Sequence, residues 1–320
     1  MSIYNQFSRF EALASALPLT SGKVFFVADS ADAWFERLQR MFPVDVDGEV
    51  RLFSNLNSAV VACTGSRGDV IVVFPNYTFT VSVAAGLLLD KAGVTILGLG
   101  YGANRPTLDF TTATTADVEV DAASVTIDNF EITASFDALA GMFDVDANYF
   151  TLKNSRILFT SGTTIQATKV ILCDSTNVAN SLLVDNCQFI GDTTAGNVSC
   201  VELNGGSYHT IRNSTFWGNF DTTSGGAILN NGDAATQILI DNCLIQNMAA
   251  TSQMAVRLVA GTTGAIKNSQ LSITLDTNSG SANYCIGTPG GLRIFESYCS
   301  TDSGEFGGSF GGTNSGSVTT

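Results

Sequence analysis

Residues 181–190 read SLLVDNCQFI and residues 208–217 read YHTIRNSTFW, with an Asn as the sixth residue of both segments. Six decapeptides of this pattern occur along the chain, and their central residues are Asn129, Asn154, Asn186, Asn213, Asn242 and Asn268. The intervals between them are 25, 32, 27, 29 and 26 residues, and a decayed copy, GLRIFESYCS, follows around Glu296. A period of about 20 to 50 residues is typical of a solenoid, in which each unit buries its apolar side only against its neighbours.

Apolar residues recur at every second position of each decapeptide, which predicts a strand because alternate side chains of a strand face the same way. A second strand is predicted before each decapeptide from two apolar residues separated by one residue, and the separating residue is expected to face outward. These pairs are Val118/Val120, Phe143/Val145, Val170/Leu172, Val201/Leu203, Ala227/Leu229, Val256/Leu258 and Tyr284/Ile286. The outward residues would then be Glu119, Asp144, Ile171, Glu202, Ile228, Arg257 and Cys285.

The residue before each central Asn alternates in charge. In order, these residues are Asp128, Lys153, Asp185, Arg212, Asp241 and Lys267. If consecutive copies stack as parallel strands about 4.8 Å apart, each carboxylate has a cation in the neighbouring coil. The alternation therefore predicts parallel strands in register. The Asn residues would stack beside this column, and their side-chain amides are expected to hydrogen-bond from coil to coil.

These features resemble the right-handed parallel β-helix proteins of the pectate-lyase-like superfold. The Asn column is similar to the asparagine ladder of that family, and GDVIVVFP at residues 68–75 is similar to its opening coil. The resemblance implies an all-β, right-handed parallel β-helix solenoid of about eight coils with an N-terminal cap of helix and strand. The predicted division is an N-terminal arm and capping region at 1–66, the parallel β-helix at 67–300, and a Gly/Ser-rich tail at 301–320.

The N-terminal region lacks the repeat and is predicted to close one end of the solenoid. A strand is expected from Gly22, an amphipathic helix at residues 31–42, and a second helix at residues 54–63 that Ser54 would cap. The open apolar end of a β-helix needs such a cover. The C-terminal tail is rich in Gly and Ser, a composition that alone predicts flexibility.

The composition excludes several classes of partner. The chain has 14% charged residues and a net charge of −14, which argues against nucleic acid and anionic membranes as partners. No apolar stretch is long enough to predict a membrane span, and the N-terminus lacks the pattern of a secretory signal peptide. Of seven cysteines, Cys187 and Cys243 would lie two coils apart, too far for a disulfide, and are expected to be reduced and buried. Cys285 and Cys299 would lie at most one coil apart and are therefore the candidates for a disulfide.

The resemblance directs the search for a site to the outside of the first strand. Glu119, Asp121, Asp144 and Asp146 are predicted to cluster there, as a candidate Ca²⁺ site or as a solvated acidic face. Arg257 would lie about 19 Å from Asp144, too far to act with it as a base. No catalytic or cofactor-binding residue is predicted.

Two further features concern possible glycoside hydrolysis and the single histidine. The carboxyl pairs Glu119/Asp144 and Asp144/Glu202 leave glycoside hydrolysis open, because their expected spacings overlap those of glycosidases. His209 falls in an inward column of the decapeptides and is expected to be a core histidine bonded to the backbone.

Residues 22–112 resemble β-helix proteins encoded in the structural gene regions of tailed bacteriophages. The resemblance implies a non-enzymatic virion protein, capsid-decorating or head-associated, that forms a homotrimer, binds the major capsid protein or other virion proteins, and assembles in the host cytoplasm. A phage tail spike or another polysaccharide-binding or depolymerising β-helix protein, a glycoside hydrolase or a lyase, is the alternative. A secreted or surface carbohydrate-active protein is a third.

Overall fold

The computed structural model describes residues 22–41, 48–134, 136, 138–159, 168–173, 179–191, 199–220, 225–249, 254–273, 285–287 and 291–301. Within these residues the chain is a parallel β-solenoid of about eight turns, with three sheets that run along its length. The predicted parallel β-helix is confirmed, and the right-handed sense is the one that parallel crossovers adopt in almost all proteins. The predicted arm at 1–21 and most of the tail, 302–320, lie outside the described residues.

Sheet A contains the first strand of every decapeptide. In spatial order its strands are Leu52–Phe53, Val24–Val27, Val70–Val73, Thr95–Gly98, Thr126–Asp128, Thr151–Lys153, Leu183–Asp185, Thr210–Arg212, Ile238–Asp241, Gly264–Lys267 and Leu292–Phe295. Every pairing is parallel, and the decapeptides pair position for position, as in Leu152 with Ile127 and with Val184. The repeat therefore predicted both the strands and their register.

Sheet B contains the strand that follows each Asn, and sheet C the strand that precedes each decapeptide. Sheet B consists of Thr78–Val81, Thr107–Phe110, Glu131–Ala134, Arg156–Phe159, Gln188–Ile190, Thr215–Gly218, Leu244–Asn247, Gln270–Ile273 and Tyr298–Thr301. Sheet C consists of Leu87–Leu88, Val118–Val120, Phe143–Val145, Lys169–Cys173, Ser199–Leu203, Ile228–Asn230, Val256–Arg257 and Ile286–Gly287. The inward side chains of the three sheets form one continuous apolar core.

The N-terminal cap is joined to the solenoid by a strand and by a helix. Strand Val24–Val27 pairs in parallel with Val70–Val73, so the cap extends sheet A. Helix Ala33–Met41 follows that strand, and helix Leu56–Ala62 buries Leu56, Ala59 and Val60 in the main core. The cap residue of the second helix is Asn55 rather than the predicted Ser54, since the Asn55 side chain accepts the Ser58 N–H at 3.2 Å.

The central Asn of every decapeptide turns the chain from sheet A to sheet B. Its φ is positive, between 51° and 64°, in all six copies. Asn tolerates this left-handed conformation better than most residues because its short polar side chain can bond locally. The local conformation thus explains why Asn recurs at this position.

The Asn side chains form a ladder that includes the acidic residues. Asn186 donates its amide N–H to Asn154 at 2.8 Å, and Asn242 donates to Asn213 at 2.9 Å. Three amides donate to the Asp of the preceding coil, in the pairs Asn154 to Asp128, Asn213 to Asp185 and Asn268 to Asp241. The first, Asn129, donates to the carbonyl oxygen of Gly98 at 2.8 Å. The predicted bonding between Asn amides is confirmed where the preceding coil has a cation, whereas Asp replaces Asn as the acceptor for Asn154, Asn213 and Asn268.

The alternating charge column is confirmed as a single file in sheet A. Asp185 is in register with Lys153 on one side and with Arg212 on the other. The ion pairs are Asp128–Lys153 at 3.2 Å, Asp185–Arg212 at 2.7 Å and Asp241–Lys267 at 3.1 Å. Each Asp therefore holds both the cation and the Asn of the next coil, so the outer surface repeats every two coils.

These contacts set the pKa of the ladder carboxylates. Burial acts to raise the pKa of Asp185, but hydrogen bonds from Arg212 and Asn213 outweigh it and hold the pKa below its usual value. Asp241 is held low in the same way by Asn268 and Lys267. Both carboxylates are therefore charged partners of the ladder at neutral pH.

The residue predicted to face outward from sheet C is wrong in three coils, although Ile286 faces inward as predicted, in register with Val256. Ile171 and Ile228 align with the inward residues Phe143 and Val201, and Cys285 is buried, so none of the three faces outward. In two of these coils the carbonyl just before the strand, that of Ala227 or of Cys285, accepts two successive N–H groups from the preceding coil, as at a β-bulge. A shift of one residue exchanges the two faces of a strand.

The cysteines agree in part with the prediction of reduced thiols. Cys187 and Cys243 are free and buried, and burial raises the pKa of Cys187 to about 12 and that of Cys243 to about 11. Cys285, a member of the pair considered for a disulfide, is disulfide-bonded. In the described part of the chain, no helix has the length and apolar character needed to cross a membrane.

Candidate functional site: the outer face of sheet C

The outward column of sheet C is defined by the strand register. Its members, in spatial order, are Leu88, Glu119, Asp144, Leu172, Glu202, Leu229, Arg257 and Gly287. Asp121 and Asp146 follow the second and third strands of sheet C, Val118–Val120 and Phe143–Val145. The column therefore contains two adjacent acids, Glu119 and Asp144. Leu172 and Leu229 occupy the outward positions that were predicted for Ile171 and Ile228.

Three of the four predicted metal-ligating residues converge. Oxygen atoms of Glu119, Asp121 and Asp146 all lie within 4.8 Å of one another, with Asp121 exposed and the other two half-buried. Asp144 is in register with Glu119 in the sheet but is not a member of this group. Carboxylate oxygens are the ligands that Ca²⁺ prefers, so the donor set fits this ion and the Ca²⁺ site stays a prediction for Glu119, Asp121 and Asp146.

Crowding of these acids shifts the protonation of Glu119. Burial, followed by the charges of Asp121, Asp117 and Asp146, raises the pKa of Glu119. Between the unfolded value near 4.5 and this raised value the folded chain binds more protons than the unfolded chain. Stability therefore falls as pH rises through that window and stays lower above it.

Glu119→Gln is expected to raise the melting temperature at pH 7, because it removes a carboxylate whose charge the fold opposes. Millimolar CaCl₂ should raise the melting temperature of the wild type and have a smaller effect on the variant, since the ion would neutralise the same group. Thermal denaturation at pH 4 and pH 7, with CaCl₂ or with EDTA, measures both effects. An unchanged wild-type midpoint in CaCl₂ would remove the Ca²⁺ site, and a lower midpoint for Glu119→Gln would contradict the electrostatic argument.

A buried ion pair lies further along the same face. Lys169 Nζ is 2.9 Å from Glu202 Oε1, and the two side chains are 24% and 2% exposed. Glu202 Oε2 is buried and has no hydrogen-bond partner among the described residues. Charges are rarely buried unless they are paired, so this pair is the main electrostatic feature of the middle coils.

Lys169 was not among the site residues predicted from the sequence. The prediction covered the residues between apolar pairs, whereas Lys169 is the first residue of its strand and stands before two consecutive buried residues, Val170 and Ile171. The sequence does contain a pattern that could have predicted the ion pair: a cation, Lys169, starts an apolar strand one coil before Glu202.

The remaining predicted residues do not form a catalytic arrangement with this pair. Leu229 separates Arg257 from Glu202, which places these two residues two strand spacings, about 9.6 Å, apart. Arg257 is therefore out of hydrogen-bond reach of Glu202.

His209 is a core residue, as predicted. The side chain is fully buried, and its Nε2 lies 3.0 Å from the carbonyl oxygen of Gly205. Burial lowers the pKa of His209, so the ring is neutral at neutral pH. It does not reach the outer face of sheet C.

Comparisons with known proteins give little beyond the fold. No protein-family model matches the chain, and no curated protein matches it. Among solved structures the chain is similar to a variant of AlyGC, an alginate lyase of the PL6 family, with 14% sequence identity and a TM-score of 0.39. The match covers 88% of this chain and 38% of that one, so the chain spans well under half of the lyase's length. A TM-score this low carries no argument about activity.

Proposed function

We propose that this protein is a non-enzymatic structural protein of a tailed-bacteriophage virion, most simply a capsid-decorating or head-associated β-helix. The observation that carries the non-enzymatic part is the ion pair between Lys169 and Glu202. The Lys169 side chain is engaged by the Glu202 carboxylate at 2.9 Å. Arg257, which belongs to the outer column, lies two strand spacings from Glu202.

The virion assignment is supported by the resemblance of residues 22–112 to β-helix proteins from phage structural gene regions. The described fold is compatible with it, because the side-chain ladders and the apolar core run continuously from coil to coil and make a stiff rod. The proposed partners are the major capsid protein or other virion proteins. Side-by-side packing of three β-helices would give the proposed homotrimer, assembled in the host cytoplasm.

A polysaccharide-binding or polysaccharide-cleaving β-helix protein is the second candidate, as a phage tail spike or a surface protein. The observation that favours it is the acidic group of Glu119, Asp121 and Asp146 on the outer face of sheet C. Such a group would allow a Ca²⁺ ion to bridge the protein and an acidic sugar. The two candidates differ in whether the protein binds or cleaves polysaccharide.

The deciding experiment combines an activity assay with particle binding. We expect no unsaturated sugars and no new reducing ends after incubation with alginate, pectin or bacterial capsule, with and without CaCl₂. We expect the tagged chain to sediment with phage particles and to produce rod-shaped density on the head in electron micrographs. Release of unsaturated sugars would overturn the structural assignment in favour of a lyase, and density on the tail would favour a spike.

A further inference from the structure

A second turn of the solenoid, which connects sheet C to sheet A, contains exposed aromatic residues in an unusual backbone conformation. Tyr149 and Tyr208 have a φ of 63° and are 59% and 62% exposed. They occupy the same position of the turn, five residues before the central Asn. Gly93, Ser124, Ser181 and Gln237 occupy that position in other coils, also with positive φ.

The left-handed conformation makes tyrosine a costly choice at this position. For residues other than glycine it brings Cβ close to the following carbonyl oxygen, and Gly93 avoids that contact. The exposed rings gain little from burial to offset the strain. A bulky, exposed residue in a strained conformation points to a role for its side chain outside the fold.

The turn is a rigid platform rather than a loose loop. Backbone hydrogen bonds join successive coils there, from Tyr149 N–H to Asn180 at 2.8 Å and from Tyr208 N–H to Thr236 at 2.9 Å. Beside them the amide of Asn180 donates to Asn148 at 3.0 Å, and the hydroxyls of Ser207 and Thr236 lie 2.6 Å apart. The backbone positions from which the two rings project are thus held at a fixed separation.

The spacing of the two tyrosines and the uncharged polar side chains around them match one kind of ligand. Two coils separate the tyrosines, which is about 9.6 Å, and the smaller Ser181 lies in the coil between them. This distance is close to the length of a disaccharide in an extended β-linked chain, so the rings would stack on every second sugar. The neighbouring residues of the turn are uncharged hydrogen-bonding side chains, namely Asn148, Asn180, Ser181, Ser207, Thr236 and Gln237.

The geometry points to a binding site for an uncharged, extended polysaccharide at Tyr149 and Tyr208. An acidic polysaccharide is disfavoured, because the turns at Tyr149, Ser181 and Tyr208 contain no Lys or Arg and the chain has a net charge of −14. The site lies at the edge between sheets C and A, not on the acidic face of sheet C, and it does not depend on the proposed virion role. On a particle it would add weak, multivalent adhesion to glycans.

The test uses the full chain with cellohexaose and chitohexaose as neutral probes and oligogalacturonate of the same length as an acidic one. Isothermal titration calorimetry should show binding of at least one neutral probe and none of the acidic probe. Tyr149→Ala and Tyr208→Ala should each weaken binding by about tenfold or more, and the double variant should abolish it. Tyr101→Ala, which removes another exposed ring (86%) away from this turn, should leave binding unchanged.

Substitution by glycine separates binding from folding. Tyr149→Gly and Tyr208→Gly relieve the left-handed strain, so the melting temperature should stay at or above the wild-type value while binding is lost. The proposal is wrong if no neutral probe binds the wild type, if the double variant binds equally well, or if the acidic probe binds more tightly. It is also wrong if the tyrosine variants change only self-association in sedimentation, which would make the turn a contact between copies of this chain.

Discussion

Phe216→Ala is expected to lower the free energy of unfolding by about 3–5 kcal/mol. The Phe216 ring is fully buried and stacks on Phe189 of the preceding coil, with centroids 4.6 Å apart and planes within 14°. Alanine would leave a cavity between two coils that the rigid ladders on either side cannot close. Chemical denaturation followed by circular dichroism measures the loss.

The adjacent residue supplies the control for this prediction. Trp217 is larger than Phe216 but faces outward from sheet B, where it pairs in register with Ile190. Trp217→Ala should therefore lower the free energy of unfolding by only about 1 kcal/mol or less. If the two alanine variants lose equal stability, the assignment of inner and outer faces in sheet B is wrong.

Lys169→Met is expected to lower the free energy of unfolding by about 3 kcal/mol, because it leaves the carboxylate of Glu202 buried without a cation. The matched control is Lys267→Met, which breaks an ion pair with Asp241 of similar length (3.1 Å) in which the side chains are 41% and 23% exposed. That variant should lose less than about 1 kcal/mol. Denaturant midpoints of both variants at pH 7 give the comparison.

The double variant Lys169→Met with Glu202→Met tests whether the cost arises from the orphaned charge. Two apolar side chains of similar size can replace a buried ion pair at little cost, so the double variant should recover most of the stability lost by Lys169→Met. Equal stability of the single and double variants would show that Lys169 contributes through its aliphatic packing instead. Full stability of Lys169→Met would show that water reaches Glu202.

The acidic group shows how far spacing alone can predict a site. Glu119, Asp121 and Asp146 were found from sequence because their two coils have simple alternation of inward and outward residues. Asp144 was grouped with them because it shares the outward column with Glu119, but sharing a column does not fix where a flexible carboxylate points. Convergence of side chains within a few ångströms depends on rotamers and on the turns that follow the strands, which the repeat does not encode.

The amino-acid sequence by itself determined the coil length, the parallel register of sheet A, the charge column and the buried position of His209. Each of these follows from residues within one repeat, where side-chain parity and stacking leave a single arrangement. Only the tertiary structure decided which residues of sheet C face outward and that Lys169 meets Glu202. In that sheet two consecutive apolar residues fit either face, and the choice is made by hydrogen bonds to neighbouring coils about 28 residues away in sequence.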